Sequence, residues 1–447
     1  MQVILMVTHI VSLLCIALFS LLASFGGGYA FEVGLCISSL LLILVLLVKT
    51  KGFVRASYTF FFLLSLGLSI YNKMPIEQIV KAIISNAEFI LLFVCVPLLK
   101  VPIMQGNYME QLLPLVRNLS PKRLHPILVF TNFGFSSFLN FGGYRIVHEF
   151  FQDVMKDRPL LYGKILSRSF SIGAFWTPYY GAFSIAVAYS HADPAWVIGI
   201  GLLICLTILL VWSGILYRKA ATEGVEPSPT KCSEFGRLYH LPVFFGLLIG
   251  SVILLSQWVD LGVIVIVSMM STVISVIWCL FLGKFREFLQ SLRSYGTNEL
   301  LLVREEAFLF ISIGFLAKTL LYLGWKIALP ELQIGQSWML FFFILLFGLI
   351  VIGLAQLGIH HLVTITLFNT SLHWESMGVE PVVYALIILM CWAISPMLSP
   401  FSPANLLTAR ITGKTTLEIG VKGNGGFGLA CLVFGAIFLT VVQQVLG

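Results

Sequence analysis

Charge is scarce in this 447-residue chain: 27 Lys and Arg and 20 Asp and Glu make up 11% of it, against roughly 25% in a soluble domain. So little charge excludes a soluble fold, most of whose residues must face water. Disorder is excluded by the opposite excess, since 59% of residues are hydrophobic and 13% aromatic. The surplus of +7 lies in short runs between apolar stretches, which is no nucleic-acid footprint. Catalytic and metal motifs are lacking as well: there is no P-loop, no GxSxG and no Cys/His pair at metal spacing. His148-Glu149 opens like a zinc helix, but HEFFQ has no second histidine at the fifth position. A disulfide framework is not indicated by the eight cysteines. Cys15, Cys36, Cys95, Cys205, Cys279, Cys391 and Cys431 lie in apolar runs as small core hydrophobes, and only Cys232 is in a polar loop.

What the chain does have is apolar length, at a mean hydropathy of +0.99. A spanning helix needs about 20 mostly apolar residues. Nine runs serve: 4–24, 31–48, 57–71 (short), 87–101, 195–217, 241–258, 262–283, 307–325 and 427–447. Two more, 169–190 and 381–409, are long but interrupted by proline and polar residues. The fold class predicted is therefore an all-α polytopic membrane protein with about 11 transmembrane helices. The first span reads as an anchor rather than a removed signal peptide, having no Lys or Arg before it.

Two segments do not fit simple crossings. HPILVFTNFGFSSFLNFGGYRIVHEFFQDVM (125–155) and WMLFFFILLFGLIVIGLAQLGIHHLVTITLFNTSL (338–372) each run apolar, Gly-rich and polar, then apolar again, as a re-entrant hairpin would. With both hairpins entering and leaving on one side and the N-terminus cytoplasmic, the cytoplasmic segments are 49–56, 100–125, 144–168, 218–240, 284–306 and 410–426. They hold 3, 4, 5, 4, 4 and 3 Lys/Arg, 23 of the 27, as the positive-inside rule requires. Lys73, Lys81 and Lys326 fall outside, Lys318 lies within a span, and the C-terminus is placed outside. The second hairpin then opens from the outside, flanked by Glu331, Glu375 and Glu380.

The order of elements implies an inverted repeat. After the extra helix 1–24, a first repeat (31–217) and a second (241–447) each run three spans, hairpin, broken span and plain span. A cytoplasmic linker, 218–240, joins them. Thr177-Pro178 and Ser395-Pro396 are 218 residues apart, as are Gly143 and His361. Discontinuous helices in inverted repeats suit alternating access, because half-helix ends leave backbone groups open to solute at mid-membrane. Ordinary proline kinks are the plainer explanation for any one of these breaks.

At this point the chain resembles the ion transporter superfamily, which includes the divalent-anion/sodium symporters and the large membrane subunit of tripartite periplasmic transporters. GAFWTPYYGAFSIAVAY (173–189) and WAISPMLSPFSPANLLTARITG (392–413) are similar to that family's proline-containing unwound helices, and GIHH (358–361) stands where its second hairpin tip would be. The Ser-Asn-Thr triplets of the sodium-coupled dicarboxylate branch are absent, and SFLN (137–140) and SPAN (402–405) are only loosely similar. The resemblance implies secondary transport of a small anionic solute by a homodimer, in an elevator-like step, with no cofactor and with Na+ or H+ as the coupling ion.

The candidate substrate-binding residues follow the breaks. Ser136, Ser137, Asn140, Gly142 and Gly143 form the first hairpin break, where glycine allows close approach and hydroxyls or amides can bind solute, or simply satisfy the turn. Arg145 follows at once, as a carboxylate or phosphate clasp or as a cytoplasmic anchor. Gln356, His360 and His361 mark the second hairpin break, where a buried imidazole can bind solute or carry a proton. Thr177 belongs to the first unwound turn; Ser399, Ser402, Asn405 and Thr408 belong to the second. Lys318 lies mid-span, where lysine is costly, and is paired in expectation with Glu88 as a charge network, snorkelling being the alternative. Segments 77–86 and 284–300 are amphipathic and suit the membrane interface.

These residues point to a secondary transporter of the cytoplasmic membrane that handles a small-molecule solute among lipids. A channel is the weaker reading, since paired opposite breaks favour a carrier. An enzyme is not expected, because no loop exceeds about 25 residues. The alternative kept is a flippase or transferase acting on a lipid-linked or lipid-phosphate substrate.

Overall fold

The computed structural model describes all residues except 1, 27, 50–51, 118, 222–238, 302, 325–333, 335, 372–373, 375–376 and 447. Among the described residues the chain is helical and holds no strand. The first helices are α1 (Gln2–Ser24), α2 (Tyr29–Lys49), α3 (Gly52–Tyr71), α4 (Ile76–Ile84), α5 (Glu88–Cys95), α6 (Lys100–Gln105) and α7 (Tyr108–Arg117). Next come α8 (Pro121–Leu139), α9 (Phe141–Phe151), α10 (Pro159–Ile172), α11 (Gly181–Ser190), α12 (Pro194–Ala221), α13 (His240–Trp258) and α14 (Val263–Phe281). The last are α15 (Phe285–Ser294), α16 (Arg304–Tyr322), α17 (Ser337–Gln356), α18 (His361–Ser371), α19 (Pro381–Leu398), α20 (Pro403–Thr412) and α21 (Gly425–Leu446).

Nine helical stretches among the described residues are long and apolar enough to cross a membrane, so the chain is a multi-pass membrane protein. Eight of them coincide with expected spans. Three expected spans are not among the nine. Helix α3 has 20 residues, of which only Ala56–Tyr71 is described throughout, and the interruption at 176–180 leaves α11 with only ten residues. Helix α16 carries Arg304, Glu305, Glu306 and Lys318 within its 19 residues. Conversely α17, expected as a hairpin arm, has 20 residues and a mean hydropathy of 2.8, long enough to cross by itself. The broken span expected over 169–190 begins ten residues earlier, at Pro159. Proline at the first position starts a helix well, and Lys164 and Arg168 ride on that helix rather than in a loop. Helix α12 likewise runs four residues into the expected linker, of which 222–238, with Cys232, lie outside the described residues. So do Lys326, Glu331 and Glu375.

The helices divide into two compact units. One comprises Met1–Gln105, Gly250–Leu329 and Thr366–Leu372. Its core joins Leu13 and Ile16 of α1, Leu42 of α2, Ile90 of α5, and Phe308 and Phe315 of α16. Helix α16 comes close to the turn between α4 and α5 where Gly314 faces Asn86; a Cβ there would lie 2.7 Å from the Asn86 side chain. Polar ties close one edge of this unit: Lys100 pairs with Glu299 at 2.7 Å, and the Lys284 ammonium donates to the Gln105 carbonyl at 2.7 Å. Lys318 and Glu88 both belong to this unit, are both exposed, and do not form the expected ion pair. Lys318 points outward from α16, where its long stem can carry the charge toward water.

The other unit comprises Gly106–Ile249, Pro330–Ile365 and His373–Gly447. Its centre is α19, whose residues from Val383 to Cys391 are all buried with no polar stripe. A helix apolar all round belongs inside, and 89% of the most apolar 18-residue window of this stretch is buried, against 61% or less in the windows of the other crossing stretches. Helices α10, α11, α17 and α21 pack around it.

Helices α8 and α9 fold back on each other through one residue. Asn140 takes φ 52° and ψ −131°, a conformation L-residues seldom adopt. The two arms touch at Gly143, where an added Cβ would lie 2.3 Å from the Phe135 carbonyl oxygen. The glycine pair is therefore not the turn itself, as expected from sequence, but the first turn of α9, and Gly143 is the contact point. Gly143→Ala is expected to lower stability by about 1–3 kcal/mol through forced overpacking. Gly134→Ala, with nothing within 4 Å of its Cβ, is expected to leave it nearly unchanged. Thermal unfolding in detergent compares the two, and equal midpoints would show that the arms do not meet at Gly143.

Candidate functional site

Two helix interruptions lie in the second unit, each tied to the end of another helix. In the first, α10 ends at Ile172, a 3-10 turn covers Gly173–Phe175, and residues 176–180 are non-helical before α11 starts at Gly181. Pro178 has no N–H to continue the helix. Three side chains from this stretch reach the C-terminal end of α8. The Trp176 indole donates to Ser137 Oγ at 3.2 Å, Thr177 Oγ1 donates to the Ser137 carbonyl, and the Tyr180 hydroxyl donates to the Ser136 carbonyl at 2.9 Å. Carbonyls at a helix end need donors; here the neighbouring interruption supplies them to Ser137, and to Ser136 beside the Asn140 N–H that it already accepts at 2.8 Å. Below them the Ser136 hydroxyl donates to Asn132 Oδ1 at 3.3 Å, and the Asn132 amide donates to the Leu166 carbonyl at 2.9 Å and Ser169 Oγ at 2.7 Å.

The second interruption, 399–402, separates α19 from α20. Pro396, expected to mark it, stays inside α19, and the chain leaves the helix only at Ser399. The Ser399 hydroxyl donates to the Ala355 carbonyl near the end of α17 at 2.7 Å. Ser402 caps α20 by accepting the Asn405 backbone N–H at 3.2 Å and donates to the Pro396 carbonyl at 2.6 Å. Asn405 is fully buried, and its amide nitrogen donates to the Met397 and Ser399 carbonyls at 2.9 and 2.8 Å. Gly420 allows the 418–424 π-helical stretch to cover this knot, since a Cβ there would lie 2.8 Å from Asn405 Nδ2. The interruptions centre on Pro178 and Pro400, 222 residues apart, while the turns at Asn140 and Gly358 are 218 apart. The difference of four residues is close to one helical turn.

Tyr144 links α9 to α20. The Thr408 hydroxyl donates to the Ala404 carbonyl at 2.7 Å, so in the contact between Tyr144 and Thr408 the phenol is the donor. At the start of α18, His360 Nδ1 accepts the Leu362 N–H at 3.2 Å, and its ring stacks on His361 at 4.1 Å. The His361 ring meets Trp392 edge-on at 4.7 Å.

Several buried polar atoms of this unit have no protein partner: Ser171 Oγ on α10, Ser184 Oγ on α11, His361 Nε2 and Thr364 Oγ1 on α18, Ser395 Oγ on α19 and Asn405 Oδ1 on α20. A buried polar atom without a partner is unfavourable, and such atoms gather where solute or water is handled.

The sequence-predicted residues thus separate into groups. Ser136, Ser137, Thr177, Ser399, Ser402 and Thr408 are buried, and their hydroxyls are spent on internal hydrogen bonds. Asn405 and His361 each keep one atom without a partner. Asn140, Gly142, Gln356 and His360 are half-buried, and Gly143 is buried at the arm contact. Arg145 is exposed on α9, and Lys318 and Glu88 belong to the other unit. Sequence reasoning passed over Asn132, Tyr144, Trp176, Ser184 and Ser395 as site residues. Asn132 was legible as the one amide inside ILVFTNFGF, and Trp176, Ser184 and Ser395 lie within the two proline-containing segments already singled out.

No known family profile matches the chain, and no curated protein matches it. Among solved structures, the YdaH transporter of Alcanivorax borkumensis, described as having an unusual topology, is similar at a TM-score of 0.45 and 14% identity. The likeness covers 82% of this chain and 87% of that one. At that level it bears on neither substrate nor mechanism.

Replacing Asn405 by alanine strips a donor from the Pro396, Met397 and Ser399 carbonyls. The expected loss is about 1–3 kcal/mol, read as a lower unfolding midpoint in detergent. Asn405→Asp, which turns an acceptor toward the same carbonyls, is expected to lose at least as much. Wild-type stability in both variants would remove Asn405 from this role.

Proposed function

We propose that the chain is a secondary active transporter that moves a small anionic solute across the cytoplasmic membrane by alternating access. The supporting observation is the polar centre of the second unit. Two helix interruptions lie against the ends of α8 and α17, with buried polar atoms on α10, α11, α18, α19 and α20 that have no protein partner. Irregular backbone at membrane depth is tolerated where protein covers it or where it lines a polar path. Helices α11 and α20 begin at the interruptions, and helix N-termini favour negative charge. The reading extends to Na+ or H+ as the driving ion, a homodimer, and a cytoplasmic N-terminus.

Thermal unfolding of the detergent-purified chain against a panel of small organic and inorganic anions tests this, with and without sodium and at two pH values. A ligand of the native state adds about 2.7 kcal/mol at 100 times its Kd, so one anion class is expected to raise the midpoint, with sodium or pH naming the coupling ion. Ser395→Ala removes a hydroxyl that has no partner. Its own midpoint is expected to stay close to wild type while the anion-dependent shift shrinks. If no anion shifts the midpoint and lipid-linked phosphates do, the flippase or transferase reading replaces this one. Cysteine labelling at Asp193, expected from outside, checks the orientation.

A further inference from the structure

Away from the interruptions, a cation sits at the meeting of α10, α12 and α21. The Arg168 guanidinium donates through Nε to Asn424 Oδ1 and through Nη2 to the Gly423 carbonyl, both at 2.9 Å. Its carbon lies 4.3 Å from the Phe427 ring centroid and 5.0 Å from that of Trp212, and those two rings are 5.4 Å apart. One turn earlier on α10, Lys164 runs along the same stretch; a Cβ on Gly423 would lie 3.5 Å from its Cε. Neither residue forms an ion pair among the described residues. Lys219 of α12 lies within electrostatic range of Lys164. Lys219 and Arg218 are exposed in the last turns of α12.

The surroundings select the kind of anion. Helix α12 has 28 residues, or about 42 Å of helix, against a hydrocarbon thickness of about 30 Å. Its basic last turns therefore reach headgroup level. Below them α12 exposes Leu210, Val211 and Ile215, and α21 exposes Leu429 and Val433. The two helices meet at Trp212 and Phe427. A dissolved phosphate would use the cations but not this exposed apolar seam. Basic pockets between helices at the membrane edge suit anionic headgroups.

We propose that this corner is a binding site for an anionic phospholipid, with Lys164, Arg168 and Lys219 on its phosphate and its acyl chains along the seam of α12 and α21. The guanidinium, held by its two hydrogen bonds and two rings, is already oriented, so the lipid meets a fixed charge. The lipid is a resident of this site, distinct from the transported solute.

Native mass spectrometry of the full chain in detergent tests this, with dioleoylphosphatidylglycerol, dioleoylphosphatidylcholine and inorganic phosphate as probes. Phosphatidylglycerol is expected to bind most tightly, and Lys164→Gln with Lys219→Gln to weaken it about tenfold. Lys219→Gln alone, at an exposed position, is expected to weaken it less and serves if the pair fails to fold. Arg286→Gln with Arg293→Gln removes the same charge from α15 and is expected to leave phosphatidylglycerol binding near wild type. Equal binding of the two lipids, equal binding of inorganic phosphate, or an equal loss in the α15 pair would each overturn the proposal.

Discussion

Every backbone N–H and C=O inside a bilayer needs a partner from the protein, because hydrocarbon offers none. The second unit is organised by that requirement. It contains helices that stop within the apolar part of the chain, where the end carbonyls need donors. Side chains supply donors beside the backbone ones. Thr177 and Tyr180 donate to the last carbonyls of α8, Ser399 to α17, and Asn405 to the end of its own preceding helix. The hydroxyl and amide residues that make the sequence look like a binding site are therefore mostly the means by which it folds.

That division shapes the functional reading. A polar side chain with all its hydrogen bonds made holds structure, and one with an atom left over is available to a solute. The leftover atoms include those on Ser184 and Ser395, which lie within the two proline-containing segments. The large hydrogen-bonded knot around Asn405 fixes where such atoms lie. Arg168 shows the same economy on a charged group: two hydrogen bonds and two aromatic faces hold it without a carboxylate. A guanidinium tolerates that because it is planar and weakly hydrated.

Glycine matters where two segments pass close together. At Gly143, Gly201, Gly314 and Gly420 the chain passes so close to another backbone or amide that a methyl group would collide. Other glycines are unconstrained: Gly134 and Gly250 have open space around them. Between α8 and α9 the turn geometry falls instead to Asn140, an asparagine with positive φ, where a short polar side chain tolerates what bulkier residues do not.

By itself the sequence determined the solvent and the class of fold, because scarce charge and repeated apolar runs of about 20 residues leave only a helical membrane protein. It also determined roughly where helices stop, since proline removes a donor whatever surrounds it. Tertiary structure decided the rest. Whether Pro178 and Pro400 interrupt a helix while Pro396 does not depends on the carbonyls nearby and the side chains that reach them. Whether α17 is long enough to cross, and whether Lys164 and Arg168 ride on a helix or a loop, turned on helix ends that hydropathy does not mark. The expected pairing of Lys318 with Glu88 was a guess about proximity, and proximity between residues 230 positions apart is a property of packing, not of pattern.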